Sequence, residues 1–192
     1  MIVNLIVVDD FYDEVDSVRK FALEQPFERY GNYPGKRTEN FLGDVLKNRI
    51  QSIIEPYAGK VTDWNEDVSY TGSFQLTTSN DKSWVHSDTI GNWGGVLFLT
   101  PDAPLSAGTA FYKSKLDGSL GYHDYFNWKY YSKDNPGVRN DITKWEKINE
   151  VGNVYNRLML FRSYQWHCAL DYFGQDNETG RLTQVFFLRT EK

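Results

Sequence analysis

The stretch Arg157-Leu158-Met159-Leu160-Phe161-Arg162-Ser163-Tyr164-Gln165-Trp166-His167 carries an apolar run into a histidine, and Gly180-Arg181-Leu182-Thr183-Gln184-Val185-Phe186-Phe187-Leu188 follows it. Runs this rich in β-branched and aromatic residues, bounded by Gly, Asn and Asp, read as the strands 157–167 and 181–190. Comparable runs stand at 61–64, 68–78, 83–88, 95–100 and 109–115. Short strands separated by turn residues point to a sandwich or jelly roll rather than to βαβ units. The expected class is mainly β, within α+β, because the first 60 residues read differently.

There an opening apolar strand runs into Asp9-Asp10. Asp10 is placed to cap a helix whose apolar face is Phe11, Val15, Val18 and Ala22, with Pro26 ending it. Residues 31–40, with Pro34 and Gly35, read as a loop. A second helix would present Leu42, Leu46, Ile50, Ile53 and Tyr57, and stop near Pro56 and Gly59. Both faces are expected to pack on a sheet. The whole chain, 1–192, reads as a single domain: N-terminal support elements over 1–60, then a β core over 61–192. Residues 117–156 interrupt that core as a polar and aromatic insertion, with 141–151 helical.

Composition limits the partners. With 40% apolar and 24% charged residues the chain reads as globular, and the 16% aromatic content suits a β interior or an aromatic-lined pocket. A net charge of −5 argues against a surface that tracks phosphates, so nucleic acid is not an expected partner. The single cysteine, Cys168, excludes an intrachain disulfide and fits a reducing, cytoplasmic setting. The first residues lack the basic start of a signal peptide, and no apolar run approaches the ~20 residues of a membrane span, so no membrane is expected.

Chemistry concentrates in Trp84-Val85-His86-Ser87-Asp88. On an extended strand His86 and Asp88 share a face, with Cα atoms about 6.6 Å apart. An imidazole and a carboxylate can then meet one metal ion. His167 would complete two histidines and one carboxylate, a set that leaves positions open on non-haem Fe(II) and that also suits a hydrolytic Zn2+. Arg181 follows His167 after enough chain for a loop and a return strand. An inward arginine at the head of an apolar strand is costly without an anion, and a dicarboxylate would supply one. Thr183, on the same face, can add a hydroxyl. The duller reading pairs Arg181 with an aspartate such as Asp171.

These residues resemble the Fe(II)- and 2-oxoglutarate-dependent oxygenases. That family's pattern of HxD, a long gap, a second His, then Arg or Lys followed two residues later by a small polar residue is matched by His86-x-Asp88, His167 and Arg181-x-Thr183. Ala107-Gly108-Thr109-Ala110-Phe111 looks like the glycine-containing approach to the strand after the first ligands. The resemblance covers about residues 68–190 and implies a double-stranded β-helix, a cupin-like jelly roll with supporting helices. It implies that His86, Asp88 and His167 bind Fe(II) and that Arg181 holds 2-oxoglutarate. Thr183 would assist, and Gln75 stands where many members touch the co-substrate. The activity implied is hydroxylation of a C–H bond with O2, coupled to decarboxylation of 2-oxoglutarate to succinate and CO2, with ascorbate as reductant.

The substrate would be a peptide side chain or a small metabolite, and charge disfavours base demethylation. Within the insertion, Tyr122, Tyr125, Trp128 and Tyr130 offer flat amphipathic surfaces to it. His123 reads as a solvated or rim residue, and Cys168 as buried and inert behind His167. Two other readings stand beside this one: a zinc hydrolase using the same triad, and a jelly-roll metal- or ligand-binding module without oxygenase activity. The arginine clamp counts against the first and the intact triad against the second.

Overall fold

The computed structural model describes residues 2–67, 70–122 and 136–192. Its first part contains β1 (Leu5–Val8), α1 (Val15–Leu23), β2 (Arg29–Gly31), β3 (Tyr33–Asn40), α2 (Asp44–Ala58) and β4 (Val61–Asp63). There follow β5 (Ser73–Thr77), β6 (Trp93–Phe98), β7 (Thr109–Ser114) and the short α3 (Pro136–Asn140). The chain closes with β8 (Trp145–Val151), β9 (Leu158–Arg162), β10 (Trp166–Ala169) and β11 (Arg181–Thr190).

Eight strands form a large sheet in the order β1-β9-β6-β11-β5-β3-β2, with β4 also on β11, and β10-β7-β8 form a small one. All these pairings are antiparallel, and the two sheets make a jelly roll. β11 is central and covered on both faces, which explains its apolar run Val185–Leu188. Leu182, Phe186 and Leu188 point to the helix side, where they join Leu97, Leu158 and Leu160 from the sheet and Ile50 and Ile54 of α2. Each such side chain, fully buried, contributes about 1.5–3 kcal/mol. The alternate residues Arg181, Thr183, Val185 and Phe187 face a cavity instead. Phe98, Met159 and Phe161 of the large sheet meet Phe111 of β7 in a second cluster that ties the sheets together. A third, with Val85, Ala110, Tyr112, Trp145, Trp166 and Cys168, covers the far face of the small sheet.

Several local expectations are corrected. Asp10 is not a cap: it has a left-handed φ of 53°, and α1 starts only at Val15. In α2, Ile54 and Ala58 take the buried line with Ile50, while Tyr57 is exposed; the helix ends at Ala58 with Gly59 as its cap, at the expected stop. The loop expected over 31–40 is a strand, β3, which pairs Arg37 with Gln75 and Lys36 with Leu76 of β5. Its glycine marks close approach: Gly35 has φ 70°, and a Cβ there would lie 2.0 Å from the Leu76 carbonyl oxygen.

The helix expected over 141–151 is strand β8 after one 3-10 turn at Ile142–Lys144, so part of the supposed insertion belongs to the small sheet. The run 157–167 is broken at Ser163-Tyr164 into β9 and β10, which lie in different sheets. The segment 83–88 forms no regular strand; it touches β10 through one bridge, His86 to His167. No described helix is long and apolar enough to cross a membrane.

Candidate metal centre and arginine-lined cavity

The cavity, of about 360 Å³, opens where β5, β6 and β11 face β10 and the segment before β6. His86 is fixed there by backbone: its N–H donates to the His167 carbonyl at 2.9 Å, and the His167 N–H returns the bond at 2.8 Å. The Asp88 N–H donates to the Ser163 carbonyl at 2.8 Å, which sets the carboxylate on the same side. Alternation does the rest, since Val85 packs outward while His86 points in. Cys168 packs outward behind His167, with its thiol 3.6 Å from Tyr112 Oη.

The three side chains converge. Asp88 Oδ1 lies 3.7 Å from His86 Nε2, and Oδ2 lies 3.5 Å from His167 Nε2. One ligand atom from each residue falls within 4.8 Å of the others. Both histidines turn Nδ1 to a backbone carbonyl, His86 to Trp84 at 3.0 Å and His167 to Gln165 at 2.8 Å. A carbonyl can only accept, so Nδ1 carries the proton and the Nε2 lone pair of each ring faces its neighbours. Burial, then the neighbouring His167, push the His86 imidazole down to about 4, with Asp88 opposing. Burial alone would raise the Asp88 carboxyl, but His167, His86 and Arg37 outweigh it and hold it below the usual range. The donors are two imidazole Nε2 atoms and a carboxylate, a set that fits a divalent transition metal. Gly94 makes room for it: a methyl group there would sit 2.9 Å from the Phe161 ring and 3.3 Å from Asp88 Oδ2.

Arg181 also lines the cavity and is 5% exposed. Its Nε donates to the Ala107 carbonyl at 3.0 Å, and its guanidinium stands 5.3 Å from the Phe98 ring and 5.8 Å from Tyr172. Among the described residues no carboxylate pairs with it, Asp171 included. Burial pulls its pKa down, with Tyr172 opposing. Cation–π contacts offer up to ~2 kcal/mol, against a penalty of several kcal/mol for a buried ion. Thr183 shares its face. Gln75 lines the cavity too, but its carboxamide is engaged: Oε1 accepts from Arg37, and Nε2 donates to the Pro34 carbonyl at 2.7 Å. Tyr122 does not line the cavity; it packs edge-on to Trp166, ring centroids 6.5 Å apart. Tyr125, Trp128, Tyr130 and His123 lie outside the described residues.

Sequence reasoning missed two further arginines of the cavity wall. Arg37, 7% exposed, reaches it from β3, the segment read as a loop, so its alternation went unseen. Burial lowers its pKa to about 10, against the opposing pull of Tyr33 and Asp88. Arg139 arrives from α3 with its guanidinium 5.5 Å from the Trp84 ring. The signal that could have found Arg37 is a charged residue inside a strand-length segment facing Gln75.

Residues 3–188 match the profile of DUF6445, described as a family of unknown function, and the chain belongs to that family. No curated protein matches it in sequence. Among solved structures it is similar to HygX from Streptomyces hygroscopicus with nickel and 2-oxoglutarate bound, at 9% identity and a TM-score of 0.65, over 98% of this chain and 83% of that one. The non-heme alpha ketoglutarate dependent carbocyclase SnoK from nogalamycin biosynthesis is similar at 14% identity and 0.57, over 97% and 79%. A Trichoplax adhaerens prolyl hydroxylase in complex with a hypoxia inducible factor peptide fragment is similar at 10% identity and 0.53, over 96% and 83%. The likeness is one of fold, the jelly roll shared by Fe(II)- and 2-oxoglutarate-dependent oxygenases.

Proposed function

We propose that this member of the DUF6445 family is an Fe(II)- and 2-oxoglutarate-dependent dioxygenase that hydroxylates a C–H bond of a small metabolite or a peptide side chain. One observation carries the reading: a single cavity holds three convergent ligand atoms and a buried arginine that no carboxylate among the described residues neutralises. A metal triad alone would also suit a hydrolase, and a buried arginine alone would suit any anion. Together they match what an iron-chelating dicarboxylate needs. That HygX was solved with nickel and 2-oxoglutarate on a similar fold supports it.

His86, Asp88 and His167 would hold the metal, the Nε2 atoms of the two histidines already freed by the Nδ1 hydrogen bonds. Bound there, Fe(II) with 2-oxoglutarate and O2 would supply the oxidising power to hydroxylate a C–H bond, with 2-oxoglutarate converted to succinate and CO2. The chain's own part is placement. Arg181 offers a bidentate grip to the distal carboxylate and Thr183 a hydroxyl. Gln75 lines the same wall, its carboxamide N–H donating to the Pro34 carbonyl. Val96, Phe161, Val185 and Phe187 line the cavity with apolar surface, which keeps water from the reacting centre.

The reading is tested by incubating the protein aerobically with Fe(II), ascorbate and 2-oxoglutarate and measuring succinate. Slow succinate formation, absent from the Asp88→Ala variant, is expected. A zinc hydrolase or a binding module would form none.

A further inference from the structure

The cavity holds a second buried arginine, Arg37 of β3, to which the oxygenase reading gives no ligand. Gln75 Oε1 accepts from Arg37 Nε at 3.1 Å and from Nη2 at 2.9 Å. That leaves Nη1 without an acceptor among the described residues, at the edge of the guanidinium that a carboxylate grips in parallel. The group is not loose: its plane lies 3.8 Å from the Tyr33 ring centroid, with Tyr70 at 5.4 Å and Phe187 at 5.9 Å. An arginine locked by a carboxamide and an aromatic ring, nine-tenths buried, is a preformed anion seat.

Its head group has other neighbours than that of Arg181. Phe187, beside Arg37, is in register with Gly94, the residue that makes room for Asp88. At its backbone Arg37 is level with Gln75 and, through it, with Thr183, two residues from Arg181; it is the Arg37 guanidinium that reaches toward Phe187. The head group of Arg181 faces Phe98 and Tyr172, aromatics that Arg37 does not touch. Tyr172 acts electrostatically on both arginines, but the Asp88 carboxylate acts on Arg37 and is not among the groups acting on Arg181. The Arg37 guanidinium therefore lies at the triad end, where a primary substrate must present its C–H bond.

Charge agrees. Among the described lining residues there are three arginines, Arg37, Arg139 and Arg181, against one carboxylate, Asp88. A divalent metal and a dianionic co-substrate cancel one another, so the loaded cavity still carries excess positive charge in a chain whose net charge is −5. Trp84 adds a buried indole N–H with no acceptor among the described residues. A cavity near the small end of ligand sites suits a compact ligand.

We infer that Arg37 seats a carboxylate of the primary substrate, and that the substrate is a small carboxylic acid. This rests on the oxygenase reading, and the test separates the two. Anaerobic protein loaded with Fe(II) and saturating 2-oxoglutarate is titrated with benzoate, phenylacetate, L-proline and L-phenylalanine, each beside its primary amide, and with inorganic phosphate. The readouts are the metal-to-ligand absorption band and tryptophan fluorescence. At least one carboxylate should bind about tenfold or more tightly than its amide, the value of one charge-assisted pair. Arg37→Gln should erase that preference while leaving Fe(II) and 2-oxoglutarate affinity within about twofold. If Arg37→Gln does not fold, Arg37→Lys, which keeps the charge and loses the fork, should weaken the preference.

No absorption band in the wild type would sink the oxygenase reading itself. A normal band with acids and amides bound alike, or with phosphate preferred, would overturn the carboxylate seat. So would a loss of 2-oxoglutarate affinity in Arg37→Gln, which would make Arg37 a co-substrate clamp.

Discussion

His86 and His167 exchange both of their backbone hydrogen bonds, at 2.9 and 2.8 Å, although no regular strand surrounds His86. This one bridge brings a histidine of an irregular segment against a histidine of β10 and leaves their rings 4.4 Å apart between centroids. The proposed metal centre is thus held by main chain as much as by side chains. Substitutions that keep the bridge should spare the fold while removing the chemistry.

Gly94→Ala tests the space the triad needs. The added methyl would press on the Phe161 ring at 2.9 Å and on Asp88 Oδ2 at 3.3 Å. A stability loss of about 1–3 kcal/mol is expected, as for other overpacked cores, together with weaker binding of Mn2+ or Ni2+ as inert stand-ins for iron. Thermal melts and a metal titration measure the two. Unchanged metal affinity would show that Asp88 is free to move, and that Gly94 is not part of the centre.

Arg181→Ala should act on the co-substrate alone. A charge-assisted hydrogen bond is worth about 1.5–3 kcal/mol, so 2-oxoglutarate should bind at least about tenfold more weakly while metal affinity holds. Calorimetric titration of the Mn2+ form gives both values. An unchanged 2-oxoglutarate affinity would move the clamp to another arginine of the cavity.

Metal should stabilise the fold it completes. At a free concentration about 100 times its dissociation constant a ligand specific for the native state adds about 2.7 kcal/mol. For a domain of this size that is a rise in Tm of roughly 5–10 °C. Chelator-treated protein melted with and without Mn2+ should show it, and the His167→Ala protein should not. An equal rise in both would place the ion elsewhere.

Gly35→Ala tests the docking of β3 and hence the placement of Arg37. At φ 70° a side chain costs about 1–2 kcal/mol, and here the Cβ would meet the Leu76 carbonyl oxygen at 2.0 Å. A lower Tm is expected, with faster amide exchange across β3 and β5. Wild-type exchange rates there would mean that the strand tolerates the shift and that Gly35 does not set it.

The central strands were legible because β6, β9 and β11 are buried on both faces and so read as apolar runs. The triad was legible because HxD spacing survives even where the segment is held by a single bridge. What escaped depended on tertiary pairing. β3 carries Pro34 and Gly35, yet β5 recruits it through Lys36 and Arg37. β8 is exposed along Glu146–Glu150, so its polar residues gave no alternation to read. Arg37 was lost with its strand, and Tyr122 was drawn toward the site by composition although Trp166 holds it elsewhere.

The central claim is that His86, Asp88 and His167 bind a metal to which 2-oxoglutarate coordinates. The most direct measurement adds Fe(II) and then 2-oxoglutarate to the anaerobic protein while its visible spectrum is followed. The account predicts a metal-to-ligand absorption band that saturates at one Fe(II) per chain in the wild type and is absent from a folded Asp88→Ala protein. No band in the wild type, or the same band in Asp88→Ala, would contradict it.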